Sequence, residues 1–132
     1  MKGFKSNIEK DTLKNENFRK VLYTSKHLQL VLMTLKTGEE IGEEVHISTD
    51  QFFRFESGMG RCIIDGNEYT VEDGDVIIVP AGSRHNVINT GTGEELKMYT
   101  IYAPPHHQDG LINTTKKDAG QNDVDFDGKT TE

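Results

Sequence analysis

The sequence predicts an all-β fold, and two observations support this prediction. Thirteen glycines recur along the 132 residues between short β-branched or aromatic runs, as expected for a sandwich or barrel of short strands. The 3.6-residue periodicity of amphipathic helices is weak throughout. Taken in order, the alternating runs predict eight strands: 20–24, 28–35, 51–56, 61–64, 68–72, 75–79, 85–89 and 96–103.

The clearest local prediction is a hairpin at Asp65-Gly66, between the predicted strands 61–64 and 68–72. An Asp-Gly pair supplies the positive φ angles that a two-residue hairpin turn requires. The turn at Asp73-Gly74 follows, and a looser connection covers 89–93. These turns predict a meander of antiparallel strands.

The length fits one domain with a single core. We divide the chain into a polar N-terminal segment (1–18), a barrel (19–112) and a polar tail (113–132). The N-terminal segment has few apolar anchors, and we expect it to pack against a neighbouring subunit. The tail has little to bury, so we expect it to be mobile or draped over the surface. A short edge strand around Val124 and Phe126 is the alternative for part of the tail.

Composition narrows the classes of partner. The net charge is -7 and no basic cluster stands out, so nucleic acid is not an expected partner. No apolar run approaches the ~20 residues of a membrane span, and the N-terminus lacks the apolar core of a secretory signal, which predicts a cytoplasmic protein. The low apolar share of 33% favours a homodimer, in which a partner covers part of the chain. The lone Cys62 is expected to be a buried core residue.

Potential metal ligands occur in two separated strand-like segments. Glu44 and His46 are two residues apart and share one face of an extended chain. Gln51 follows after a short bend at 48–50 that can return it to the same cavity. His85 opens a strand after the turn Pro80-Ala81-Gly82. Together these residues predict a metal site inside a barrel.

The second segment resembles the cupin superfamily. The family motif of Gly, five residues, Pro, one, Gly, two, His, three and Asn is matched without a gap by Gly74, Pro80, Gly82, His85 and Asn89. The resemblance covers roughly 20–102. It implies a double-stranded β-helix, the cupin jelly-roll barrel, whose two motifs hold a divalent metal ion.

The first family motif reads His-x-His, three or four residues, Glu, six residues, Gly, and here the sequence departs from it. Counting back from Gly58 places Gln51 at the glutamate position, His46 at the second histidine and Glu44 at the first. The formal charge of the ligand set stays the same, because one carboxylate is kept, although it has moved. Asp50, one residue earlier, is the rival third ligand, but strand alternation turns it to the opposite face.

The resemblance therefore implies that Glu44, His46, Gln51 and His85 bind a divalent metal ion. Two nitrogen and two oxygen donors suit iron, manganese, zinc or nickel and shift the preference away from copper. The sequence does not choose among these four metals. The alternative is a scaffold that has lost its metal and keeps His85 as a packed residue.

The catalytic residues remain unassigned at this level. By strand alternation Phe53 and Phe55 share the face of Gln51, so they line an apolar pocket or simply fill the core. Tyr102 is a candidate pocket hydroxyl. His106 and His107 follow two prolines and either cover the barrel mouth as acid, base or extra ligand, or form a solvated pair at a turn.

The resemblance is strongest to small stand-alone cupins that carry a phosphomannose-isomerase-like label. It implies a metal-dependent enzyme acting on a small organic substrate, isomerase-like or dioxygenase-like. The alternatives are a non-catalytic small-molecule binding or sensor module and a structural dimer with a vestigial site. Against a sugar phosphate stands the lack of a basic pair, because Arg54 should point away from the site and only Arg61 and Arg84 are otherwise nearby. An acidic run at 39–44 would further discourage anionic substrates.

Overall fold

A computed structural model describes residues 1–132 as two antiparallel sheets with two short helices outside them. The elements in chain order are α1 (Ile8–Lys14), β1 (Arg19–Thr24), β2 (Gln29–Leu35), β3 (Glu44–Val45), β4 (Asp50–Ser57), β5 (Met59–Ile64), β6 (Asn67–Glu72), β7 (Val76–Val79), β8 (Arg84–Asn89), β9 (Leu96–Ala103), β10 (Ile112–Asn113) and α2 (Lys116–Gln121). All eight predicted strands are present, with ends that differ by at most two residues.

The two sheets enclose one core. The larger sheet has the order β10-β1-β2-β9-β4-β7 and the smaller one β3-β8-β5-β6. Non-consecutive strands such as β2 and β9 are neighbours, as expected for a double-stranded β-helix. The inward side chains form one apolar cluster, to which both sheets contribute. The all-β jelly-roll prediction is confirmed.

Two turns show why glycine is needed where the sequence has it. Asp65 and Gly66 both have positive φ angles, 47° and 82°, and β5 and β6 pair through the hairpin that they form. Gly58 has a φ of 86°, and a Cβ atom there would collide with the backbone oxygen of Glu95. Gly58 therefore joins β4 to β5 at a place where no side chain fits.

The N-terminal segment packs on its own barrel. Helix α1 begins at Asn7, whose side chain accepts a hydrogen bond from the Lys10 amide, and it buries Thr12. Lys97 of β9 donates to the backbone oxygen of Asn15 and pairs with Glu16 at 3.1 Å. The segment thus has contacts within its own chain, and its packing against another subunit stays a prediction. Neither helix has the length or the apolar character to cross a membrane.

The tail is draped along the barrel edge, one of the two arrangements expected from the sequence, and backbone hydrogen bonds hold it there. β10 pairs with β1, and Asp125 forms an isolated bridge with His107. The amide of Thr131 donates to the Thr24 oxygen at 2.9 Å. The Glu132 carboxylate accepts from the amides of residues 2 and 3 and from a tyrosine hydroxyl. Backbone pairing fixes the tail although it has few apolar side chains.

Candidate metal centre

The candidate metal centre begins where β3 meets β8. Glu44 and His85 are direct partners in this strand pair, and the backbone oxygen of His46 accepts from the Gly82 amide at 2.8 Å. Glu44 Oε2 lies 3.1 Å from His46 Nε2 and 4.0 Å from His85 Nε2. One donor atom from each of the three residues lies within 4.8 Å of the other two. The Pro80-Ala81-Gly82 turn thus brings both sequence segments to one point.

His85 is held in the tautomer that a metal requires. Its Nδ1 lies 3.0 Å from the backbone oxygen of Ser83, and because a carbonyl only accepts, the proton is on Nδ1. In the neutral form of this imidazole the lone pair is on Nε2. The Nε2 atom is buried and has no hydrogen-bond partner. This is the usual arrangement of a metal-binding imidazole, with the second nitrogen fixed by a backbone acceptor.

Glu44 is half-buried and ionised. Burial by itself would raise the pKa of this carboxyl, but the hydrogen bond from His46 and the nearby positive charges, Arg19 among them, outweigh it, so the pKa lies below its usual value. The carboxylate accepts from His46 Nε2. Metal binding would displace that proton and free both groups as ligands.

Gln51 lies on β4 with its amide oriented by a neighbouring strand. Its Nε2 donates to the Thr100 hydroxyl at 3.0 Å, while its Oε1 is buried without a partner. An unpaired buried amide oxygen carries a desolvation penalty of about 1–3 kcal/mol. Gln51 is opposite Tyr102 in the β4–β9 pair, and the ring of Tyr102 contacts His46 with 5.8 Å between centroids. The amide oxygen is thus an available donor one contact away from His46.

The rival ligand Asp50 has a different role. Its side chain is exposed, and its Oδ1 accepts from the Ala81 amide at 2.8 Å. It therefore supports the turn that precedes His85 from outside the barrel, as strand alternation predicts.

His106 and His107 lie beside the cluster, and the solvated-pair interpretation is wrong. The rings of His106 and His46 are 4.3 Å apart, and His107 is buried, with its Nε2 3.2 Å from the Tyr102 hydroxyl. Buried Gln29 fixes this loop, because its side chain accepts from both histidine amides and donates to the His107 oxygen.

Burial determines the protonation states of His106, His107 and Tyr102. It lowers the pKa of His107 to about 2, with help from the positive charge of Arg19, and it also lowers the pKa of His106. Both imidazoles are therefore neutral at pH 7. Burial raises the pKa of Tyr102, so its hydroxyl keeps its proton.

The two phenylalanines predicted for the pocket belong to the core. Phe53 and Phe55 are completely buried and their rings stack at 6.3 Å in the apolar cluster. Core packing accounts for both. Cys62 is likewise buried, and burial raises its pKa to about 12.

The sequence interpretation missed Arg19. This residue is 5% exposed, and its charge acts on Glu44, Tyr102 and His107. Its alternation with the buried Val21 was the available signal, but an arginine at a strand end is usually solvated. Arg54 behaves as predicted, because it pairs with Glu56 across 3.3 Å and is partly exposed.

Comparison with known proteins agrees with this architecture. The model of the cupin domain family matches residues 31–102. The protein YrkC of Bacillus subtilis (strain 168) is 46% identical over 124 residues, which are 89% of this chain and 66% of the relative's length. Protein L612 of Acanthamoeba polyphaga mimivirus is 40% identical, with 86% of this chain and 73% of the relative covered.

A solved structure extends the agreement to three dimensions. The crystal structure of BH2720 from Bacillus halodurans superimposes with a TM-score of 0.88 at 42% identity, covering 90% of this chain and 94% of that one. The chain therefore belongs to the cupin family, as a small single-domain member. The names of these relatives state no activity. Family membership therefore establishes the fold, and any reaction has to be inferred from the residues of the site.

Proposed function

We propose that this cupin binds a divalent metal ion through Glu44, His46, Gln51 and His85 and uses it to act on a small organic molecule. The observation that supports this best is a pair of buried atoms without partners, His85 Nε2 and Gln51 Oε1. Buried polar atoms are normally satisfied, so two such atoms, one of them 4.0 Å from the Glu44 carboxylate, favour a cation that satisfies both.

The donor set fits iron(II), manganese, zinc or nickel. Two imidazoles, one carboxylate and one amide oxygen give a mixed nitrogen and oxygen site with a formal charge of minus one. The set includes the two histidines and one carboxylate that bind non-haem iron(II) in oxygenases. Copper(I), which prefers soft sulfur donors, suits it less well.

When bound, the metal would act as a Lewis acid that polarises a carbonyl or enediol oxygen. The chain prepares the site for this chemistry. The Ser83 oxygen orients the His85 ring, and Thr100 orients the Gln51 amide. The Tyr102 hydroxyl and His107 Nε2 are buried and form a hydrogen bond of 3.2 Å. The half-buried His106 lies on the same side, with its ring 4.3 Å from that of His46.

Two branches of enzyme function follow, isomerase-like and dioxygenase-like. Oxygen uptake by iron-loaded protein with candidate carbonyl and enediol compounds separates them, because isomerisation consumes no oxygen. Each branch requires that chelation abolish turnover. Ligand binding to the metal-loaded protein without turnover in either assay would instead identify a non-catalytic binding or sensor module.

We also propose a homodimer formed through the outer face of the larger sheet. Leu30, Phe52, Ile78 and Ile101 are neighbours across β2, β9, β4 and β7, and all are at least partly exposed. A self-complementary apolar row suits a two-fold interface. Small-angle scattering that gives a monomer at micromolar concentration would contradict this assembly.

A further inference from the structure

The strongest unexplained feature outside the ligand set is the buried guanidinium of Arg19. Arg19 opens β1 and points inward like Val21, with its Cζ 5.4 Å from the centre of the Phe18 ring. Its Nη1 donates to the side-chain oxygen of Asn113 at 3.2 Å. Asn113 is itself fully buried, so this side of the guanidinium is fixed in the barrel edge.

The other side of the same guanidinium is unpaired. Arg19 Nε is buried and has no hydrogen-bond partner. None of the ion pairs within 4.0 Å in the molecule includes Arg19. A buried cation without an anionic partner is costly, and buried arginines are normally paired. The unpaired edge therefore requires an explanation.

Arg19 is also one of the residues that line a cavity beside helix α2. The cavity has a volume of about 170 Å³, several times the ~30 Å³ of a water molecule in the liquid. Arg19 and Glu44 both line it, so it adjoins the carboxylate that we assign to the metal. Phe18, Ile41 and Ala119 supply apolar walls, the last from helix α2.

We propose that Arg19 anchors the carboxylate of a small organic acid in this cavity, with the rest of that molecule directed towards Glu44 and the metal. This inference rests on the proposed function only where it directs the far end of the organic acid towards a bound metal ion. A guanidinium can donate two parallel hydrogen bonds to the two oxygens of a carboxylate. The apolar walls suit a short carbon skeleton.

The charges around the cavity favour a carboxylate over a phosphate. The remaining charged residues of the lining, Lys116 and Asp123, have opposite signs. A phosphate dianion would bring two negative charges next to the carboxylates of Glu44 and Asp123, whereas a carboxylate brings only one, which the charge of Arg19 matches. The substrate class of the proposed enzyme is then a small acid with a second oxygen, such as a hydroxy or keto acid. This reverses the expectation that the acidic run discourages anions.

The experiment is a titration of metal-free protein followed by the Arg19 Nε–H resonance in ¹⁵N NMR, at constant pH and ionic strength. The probes are acetate and propionate, with acetamide as the neutral analogue and inorganic phosphate as the competing anion. We expect a saturable shift with both carboxylates, none with acetamide and at least about tenfold weaker binding of phosphate. A shift that does not saturate, or phosphate binding as tight as acetate binding, overturns the proposal.

Three variants locate the site. Arg19→Lys keeps the charge but loses the planar edge, and Ala119→Leu fills the cavity while leaving Arg19 in place. Both should weaken acetate binding at least about tenfold, measured by the acetate line width, whereas Arg54→Lys should not change it. If Arg19→Lys fails to fold, Ala119→Leu decides, and unchanged binding in that variant refutes the site. Acetate binding by a protein that takes up no metal would refute the proposed function and leave this inference standing.

Discussion

The carboxylate of Glu44 lies directly across the β3–β8 pair from His85, with Glu44 Oε2 4.0 Å from His85 Nε2. This register is set by backbone hydrogen bonds and by the Pro80-Ala81-Gly82 turn, so it does not depend on a bound ion. The proposed ligands Glu44, His46 and His85 are therefore close together without a bound ion. Preorganisation of this kind reduces the cost of metal binding.

Removal of His85 should abolish tight metal binding. In His85→Ala we expect the affinity for the preferred divalent metal to fall at least about 100-fold, because second-shell changes alone cost 10–100-fold. His27→Ala, at an exposed histidine, is the matched control. Isothermal titration with each metal measures the difference, and equal losses in the two variants would argue against the site.

Gln51 and Asp50 can be separated by single substitutions. Gln51→Ala removes a proposed oxygen donor and should weaken metal binding at least about tenfold. Asp50→Ala should leave the metal affinity within about twofold, because its carboxylate bonds to the Ala81 amide outside the barrel. A larger effect at Asp50 than at Gln51 would mean that the first motif has been aligned one residue out of place.

Stability of the metal-free protein should fall as the pH drops from 6.5 to 5. The pKa of His107 is lowered to about 2 in the folded state, from a usual value of 6.5. Below pH 6.5 the unfolded chain takes up a proton that the folded chain refuses, so stability is full above this pH and is lost below it. The slope from this one group approaches about 1.4 kcal/mol per pH unit.

His107→Gln provides the control for this slope. Arg19, His106 and His46 all disfavour the charged form of His107, while Asp123, 3.9 Å from its Nδ1, is too far to reverse them. Denaturant unfolding at pH 6.5 and 5 should show a shallower pH dependence in the variant. The same dependence in both proteins would show that His107 titrates normally.

The glycine that sets the register of the first motif should be intolerant of a side chain. Gly58→Ala combines a positive φ with a collision against the Glu95 backbone, and we expect a loss of about 2–4 kcal/mol in the free energy of unfolding. Gly120→Ala in α2 meets no atom within 4 Å and should be neutral or slightly stabilising. Thermal and denaturant unfolding measure both, and equal effects would contradict the steric account.

Local patterns predicted the barrel and the position of His85 in the cluster. Strand alternation and the Asp65-Gly66 turn gave the strands, and the spacing from Gly74 to Asn89 gave His85. The N-terminal helix was missed because its buried contact is made by Thr12, a residue without helical or apolar signal. Composition does not separate a mobile tail from a draped one, because main-chain pairing with β1 leaves no trace in it.

Long-range contacts explain the remaining errors around the site. Arg19 and His107 are 88 positions apart, and each is an ordinary solvent-exposed type of residue when considered alone. Their burial depends on Gln29, which ties the histidine loop to β2, and on Asn113, which pairs with Arg19 across β10. The sequence around Arg19 and the sequence around His107 contain no hydrophobic periodicity or motif that would predict these contacts.

The most direct test of the central claim is the metal content of protein purified without chelator and offered iron(II), manganese, zinc and nickel under reducing conditions. Mass spectrometric analysis of dialysed protein should find about one metal ion per chain, and the stoichiometry should fall to near zero when Glu44, His46 and His85 are all replaced by alanine. A metal content near zero in the unaltered protein with all four ions would contradict the account and identify the cluster as a packed remnant.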